Sequence, residues 1–265
     1  MELSTFTLTT GTDALSGTGA NDVFNGVLQG SGDTGTTTQA GDSIVGGAGV
    51  DTLNISVAGA ATADATYTVS AIQAGGVEKV LLSNFDTRTN GTPEETTIVD
   101  AALMDGLTTV GLSASGAAGD TVFSGMKNFV DAVMQNGAGD LTLTYDGAQV
   151  VTGETDSQNL AVSNLTAGTF TADGVETIAV TTETAASTLT DITGADLTKI
   201  TFAGDQNLTV STALDEKTLD ASALTGNLTI ELGANAAHVV TGGAGNDTFV
   251  YTAADNGETE EAAVT

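Results

Sequence analysis

The sequence predicts an all-β chain folded as a right-handed parallel β-solenoid, of the β-roll or β-helix kind, with a small helical insertion. Three observations predict it. Copies of a glycine-aspartate nonapeptide stand near both ends, and short half-apolar segments recur between them at about 20 residues. The composition, with 34 glycines, one proline, no tryptophan and no cysteine, suits many short strands and tight turns.

The nonapeptide G-G-x-G-x-D-x-U-x, with U a large apolar residue, occurs as Gly46-Gly47-Ala48-Gly49-Val50-Asp51-Thr52-Leu53-Asn54 and as Gly242-Gly243-Ala244-Gly245-Asn246-Asp247-Thr248-Phe249-Val250. Asp42-Ser43-Ile44 stands nine residues before Asp51-Thr52-Leu53, and Asp13-Ala14-Leu15 nine before Asp22-Val23-Phe24. The last of these is led by Gly17-Thr18-Gly19-Ala20-Asn21, where Thr18 and Ala20 replace two motif glycines. Glycine lets the backbone turn with positive φ and aim carbonyls inward; the aspartate adds a carboxylate, and the next three residues form a strand that buries U. Two such units close one coil, and a hard cation takes oxygen ligands from loops stacked on the same side. The candidate calcium-binding residues are therefore Asp13, Asp22, Asp42 and Asp51 with Gly17, Gly19, Gly46, Gly47 and Gly49, and, at the other end, Asp247 with Gly242, Gly243 and Gly245. Asp13 should stack with Asp42 and Asp22 with Asp51, 29 residues apart in each case, as an 18-residue coil plus about 11 residues inserted within Val27 to Gly41. His238, not aspartate, stands nine before Asp247, so that site is expected to be incomplete within this chain.

These motifs resemble the repeats-in-toxin (RTX), or hemolysin-type calcium-binding, repeats of bacterial proteins exported by type I secretion. The resemblance implies bound Ca2+, a β-roll and an uncleaved C-terminal export signal.

Between the motifs, Asn207-Leu208-Thr209-Val210 recurs as Asn227-Leu228-Thr229-Ile230, and Leu197-Thr198-Lys199-Ile200 as Glu216-Lys217-Thr218-Leu219. Val77-Glu78-Lys79-Val80-Leu81-Leu82, Leu107-Thr108-Thr109-Val110-Gly111-Leu112 and Val175-Glu176-Thr177-Ile178-Ala179-Val180 are of the same type. Each reads as a short half-buried strand. An antiparallel sandwich also spaces strands closely, but here the loops repeat in register with the strands. Acidic, Thr- and Ala-rich coils with sparse nonapeptides resemble bacterial surface-layer (S-layer) proteins of the calcium-dependent type. One segment departs from the pattern. Thr92-Pro93-Glu94-Glu95 reads as a capping box opening a helix to about Asp105, and Phe123, Met126, Phe129, Val130, Val133 and Met134 recur at helical spacing. The predicted organisation is a calcium-binding β-roll start (1–56), solenoid coils (57–91), a helical insertion with an intervening strand (92–137), further coils (138–237), and a terminal motif with tail (238–265).

Net charge is −29, from 34 acidic residues against five cations, Lys79, Arg88, Lys127, Lys199 and Lys217. Self-repulsion of this size opposes compaction, so divalent cations are natural partners; acidity also keeps a surface protein soluble. Scattered cations give no footprint for nucleic acid or for an anionic membrane. No run approaches the roughly 20 apolar residues of a spanning helix. Met1 to Thr10 lacks a basic n-region and an apolar core, so export without a cleaved signal peptide is expected.

Catalytic inventory is thin, with one histidine and three tyrosines. H-E-x-x-H, G-x-S-x-G and P-loop motifs are absent from the sequence, and a polyanionic surface would repel the acidic sugars on which β-helix lyases act. Ice binding through Thr-x-Thr rows has few rows in register, and a glycan-binding module would show exposed Trp or Tyr. The expectation is thus a non-enzymatic structural protein of a calcium-dependent extracellular surface layer. Its partners would be other copies of itself, in a lattice or a head-to-tail polymer in which the Asp13 and Asp22 loops complete the Asp247 loop of the next subunit. Another part of a longer parent chain would contact cell-surface glycan. The alternative is a rod or spacer segment of a large secreted RTX adhesin.

Overall fold

A computed structural model describes residues 3–29, 35–58, 67–69, 72–86, 96–147, 155–233, 238–251 and 263–264. The chain is all-β, and its strands pair in parallel and in register, as in a parallel β-solenoid. No antiparallel pairing occurs among the strand registers described, which removes the sandwich alternative. The chain divides into two compact units, residues 1–133 with 138–149, and residues 134–137 with 150–265.

In the first unit the long sheet stacks Thr5–Thr7, Val23–Gln29, Thr52–Ala58, Lys79–Asn84 and Thr109–Ser115. Successive strands are offset by 18, 29, 27 and 30 residues. A second sheet stacks Ala14–Ser16, Ser43–Val45, Gln73–Gly75 and Met104–Asp105, and a third adds Tyr67–Val69, Thr97–Asp100, Thr121–Met126 and Leu141–Tyr145. In the second unit the long sheet is made of Ser157–Leu165, Thr177–Thr182, Lys199–Gly204, Thr218–Leu224, Val239–Thr241 and Ala263–Val264. Thr169–Ala172 pairs with Asp191–Thr193 there, and Ser187–Leu189, Leu208–Leu214, Leu228–Leu232 and Thr248–Tyr251 form a further sheet.

In-register parallel pairing places like residues above one another, so the period-2 alternation of each strand becomes a continuous apolar column. Phe6, Phe24, Leu53, Val80 and Val110 form one such column. Its four inner members have no exposed surface, and the Phe6 and Phe24 rings stack at 4.9 Å. Ile178, Ile200, Leu219 and Val240 form the equivalent column in the second unit.

The helical insertion is not present among the described residues. Thr97–Asp100, Thr121–Met126 and Asp131–Gly137 are strands, while Thr92, Pro93, Glu94 and Glu95 lie outside the described residues. Phe123, Met126, Val130 and Met134 imitate a helical period, but burial in the last strand alternates strictly, with Val130, Ala132 and Met134 inside and Val133 less buried between them. The small side chain of Ala132 is what a search for large apolar residues overlooks. Met104, Met126 and Met134 are core residues of the coils. Within the stretch expected to hold the insertion, Val27 to Gly41, the first three residues Val27, Leu28 and Gln29 continue the strand, while the 29-residue offset is kept.

Truncating Phe24 to alanine should cost about 3–5 kcal/mol, whereas Phe85→Ala, at a side chain 53% exposed, should stay within about 0.5 kcal/mol; denaturant titrations of both variants check the placement of the core.

Candidate metal centre

Where a coil turns a corner into its long-sheet strand, the backbone amide of the corner residue looks to a neighbouring coil for its acceptor, which a buried amide needs. In the first unit the corner residues are Ser4, Asp22, Asp51, Glu78 and Thr108, one before each strand. The side chains of Asp22, Asp51 and Glu78 supply acceptors to the corner amides one coil back, whereas Glu78 N and Thr108 N donate to the carbonyls of Asp51 and Glu78 at 3.1 and 2.8 Å. Ser4 N donates to Asp22 Oδ1 at 3.0 Å, Asp22 N to Asp51 Oδ1 at 2.6 Å, and Asp51 N to Glu78 Oε2 at 2.7 Å. The result is a column of carboxylates, each stapling its own coil to the previous one.

The members differ in what their second oxygen meets. Asp22 Oδ2 accepts from Thr18 N at 2.5 Å and from the Thr18 hydroxyl at 2.9 Å. The backbone bond from Thr18, more than any other contact, holds the Asp22 carboxyl below its usual range. Asp51, equally without exposed surface, has its Oδ2 buried with no hydrogen-bond partner. Burial pushes its carboxyl up, and the negative charges of Glu78 and Asp22 push the same way.

The glycines shape this space. A Cβ on Gly46 would collide with the carbonyl oxygen of Gly76 and stand 2.6 Å from Asp51 Oδ2, so a carbonyl and the unpaired carboxylate oxygen converge on one point. One coil earlier a Cβ on Gly17 would collide with the carbonyl oxygen of Gly46 and stand 2.8 Å from Asp22 Oδ2. Gly47, at φ 109°, turns in a region that suits glycine and packs directly on the Thr18 carbonyl; Gly49 packs on Ala20, and Gly19 lies in the bend of the first loop.

On the second sheet the same device appears once. Asp13 N donates to Asp42 Oδ1 at 2.9 Å, and Asp42 Oδ2 accepts from Gln39 N at 2.7 Å. Asp13 in turn accepts from Thr9 N at 2.6 Å and from the Thr9 hydroxyl. The next corner residue there is Ile72, which offers no acceptor, so the column stops. The structure thus brings Asp13 to Asp42 and Asp22 to Asp51, on different sheets.

No protein-family model matches the chain, and no curated protein or solved structure matches it.

Asp247 stands apart. It stacks in register on Leu228 and Leu208, accepting Leu228 N at 2.9 Å and Gly243 N at 2.7 Å. Gly243 and Gly245 pack on the carbonyls of Leu224 and Gly226, and a Cβ on Gly242 would stand 3.1 Å from Asp247 Oδ2. Neither side chain beneath Asp247 is a carboxylate. Among the described residues no three His, Cys, Asp or Glu side chains converge as a metal site, so a cation here would have to draw on backbone carbonyls beside the paired carboxylates. The donor set at Asp51 fits a hard, oxygen-seeking ion on that condition, by virtue of its unpaired buried oxygen and the converging Gly76 carbonyl. Sequence reading missed Glu78 and Gly76. Their signal was positional: Glu78 immediately precedes a strand, as Asp22 and Asp51 do, and the pair Gly75-Gly76 leads to it without the rest of the nonapeptide.

Removing a staple without touching the unpaired oxygen isolates its structural part. Asp42→Ala leaves the amides of Asp13 and Gln39 without acceptors and should cost about 1–3 kcal/mol, measured by denaturant unfolding in the presence of a chelator.

Proposed function

We propose that this chain is a calcium-stiffened structural solenoid of an extracellular coat, with no catalytic role. The observation that carries the reading is Asp51, a fully buried carboxylate with one unpaired oxygen, flanked by the negative charges of Glu78 and Asp22. Leaving such a charge unpaired is expensive, and a divalent ion between the loops removes the cost. The unpaired Oδ2 of Asp51 and the carbonyl of Gly76 would hold it, with Asp22 and Glu78 adding negative charge nearby. Bound Ca2+ would supply charge neutralisation and cross-linking of consecutive coils, and the chain's net charge of −29 makes that supply matter for the fold as a whole.

The resemblance to RTX repeats and to calcium-dependent surface layers supports placing this activity outside the cell, with other copies of the chain as partners. Strand Thr248–Tyr251 turns Val250 and Tyr251, 47% and 38% exposed, to solvent and so offers apolar surface for self-association. A spacer segment of a secreted adhesin would use the same coils without lateral contacts.

Calcium should raise the melting temperature, with about 2.7 kcal/mol gained at a hundredfold excess over the dissociation constant. The sign for Asp51 follows from its raised carboxyl: the folded state holds the proton more tightly than the unfolded, so ionised Asp51 opposes folding at neutral pH. Asp51→Asn should therefore melt no lower than the parent in EGTA, yet lose most of the calcium response. Equal melting of the parent chain in calcium and in EGTA contradicts the metal reading. Electron microscopy of the calcium-loaded protein separates the two structural roles: ordered sheets favour a coat, and isolated rods favour the adhesin spacer.

A further inference from the structure

His238 fills the corner position before Val239–Thr241 in the second unit and is 1% exposed. Its Nδ1 lies 2.9 Å from the carbonyl oxygen of Glu216 and its Nε2 2.8 Å from that of Gly233. Carbonyls only accept, and a neutral imidazole carries a single N–H. Only the doubly protonated ring donates to both.

Beside it, Glu216 Oε2 is buried with no hydrogen-bond partner. Burial first, and then the charges of Asp191 and Asp215, push the Glu216 carboxyl up to about 7, with His238 acting in the opposite sense. The Asp191 carboxyl is itself raised, by burial and then by Asp215. The neighbouring Lys217 is exposed. At this corner, each ring nitrogen of His238 thus faces a carbonyl acceptor, and burial favours a proton on Glu216.

We propose that His238 and Glu216 form a proton-operated latch that holds Val239–Thr241 against Thr218–Leu224. The two strands pair Thr218 with Val239, Leu219 with Val240 and Asp220 with Thr241, and Val239 N donates to Lys217 O at 2.9 Å. With both ring protons in place, the imidazolium ties the Gly233 turn to the Glu216 backbone and offsets the carboxylates around it. Loss of a ring proton sets a lone pair against a carbonyl, and ionisation of Glu216 adds negative charge beside Asp191 and Asp215. Both events loosen the corner. Because the Glu216 carboxyl lies above its ordinary 4.5 in the folded chain, the folded corner binds the extra proton between about 4.5 and about 7, and its stability falls as pH rises through that window. Opening uncovers the backbone edge of Thr218–Leu224 to another strand. This latch is independent of calcium.

Amide hydrogen exchange of Leu219, Val240 and Thr241, corrected for intrinsic rates and run in EGTA from pH 5 to pH 8.5, tests it. Protection should fall about tenfold or more across the range, while Leu53 and Val80 in the other unit keep theirs. Glu216→Gln should abolish most of the fall with an unchanged circular dichroism spectrum. A flat profile in the parent chain, or an undiminished fall in a folded Glu216→Gln variant, overturns the latch. Should that variant not fold, the chain's single histidine gives an unambiguous nitrogen NMR readout in the parent. Two ring N–H protons in slow exchange at pH 6 support the latch; a ring with one overturns it.

Discussion

The structure depends on the need of each corner amide for an acceptor. Strand ladders satisfy the backbone along the faces of a parallel solenoid, but at each corner the chain leaves one ladder, and where the corner is buried, as at Asp22 and Asp51, its amide needs another acceptor. In the first unit that need is met by carboxylates at Asp22, Asp51 and Glu78, each reaching back one coil. The consequence is a line of negative charges in the interior of an already acidic chain. Part of that charge is offset by amides, as at Asp22. At Asp51 it is not, because Oδ2 has no hydrogen-bond partner, and it is this oxygen on which the proposed cation position rests.

The second unit meets the same need with fewer carboxylates and more of the backbone acceptors that the first unit uses at Glu78 and Thr108. Asp156 N still donates to Glu176 Oε2 at 2.7 Å, but the later corners carry Thr198, Lys217 and His238. There backbone carbonyls act as acceptors, as when Thr198 N donates to Glu176 O at 3.0 Å, and asparagines take over on the adjoining sheet, where Asn227 N donates to Asn207 Oδ1 and Asn246 N to Asn227 Oδ1. Neutral staples need no metal. The two units thus combine one mode of coil stacking with two electrostatic characters, one with stacked carboxylates at its corners and one with mostly neutral staples.

Much of this was legible in the sequence. The nine-residue phase places Asp13, Asp22, Asp42 and Asp51 at corners because glycine-led turns and an apolar residue two positions after the aspartate fix both ends of each short strand. The recurrence of Asn207 to Val210 as Asn227 to Ile230 is the actual stacking register. Two features were not legible. Residues 121–137 carry large apolar side chains at intervals that satisfy a helix and a strand alike, and the deciding residue, Ala132, is too small to register in a hydrophobic pattern. Glu78, led by Gly75-Gly76 alone, and His238 work as corner residues without the full nonapeptide, so only their stacking in three dimensions joins them to the columns they complete.

The central claim, that the unpaired Asp51 oxygen marks a cation position built by consecutive coils, is tested most directly by a crystal structure with calcium or a lanthanide and anomalous scattering. The account predicts a peak in coordination distance of Asp51 Oδ2 and the Gly76 carbonyl oxygen, with the Asp22 and Glu78 staples retained. Well-ordered density that shows Asp51 Oδ2 paired with protein or water alone, under saturating metal, would contradict it.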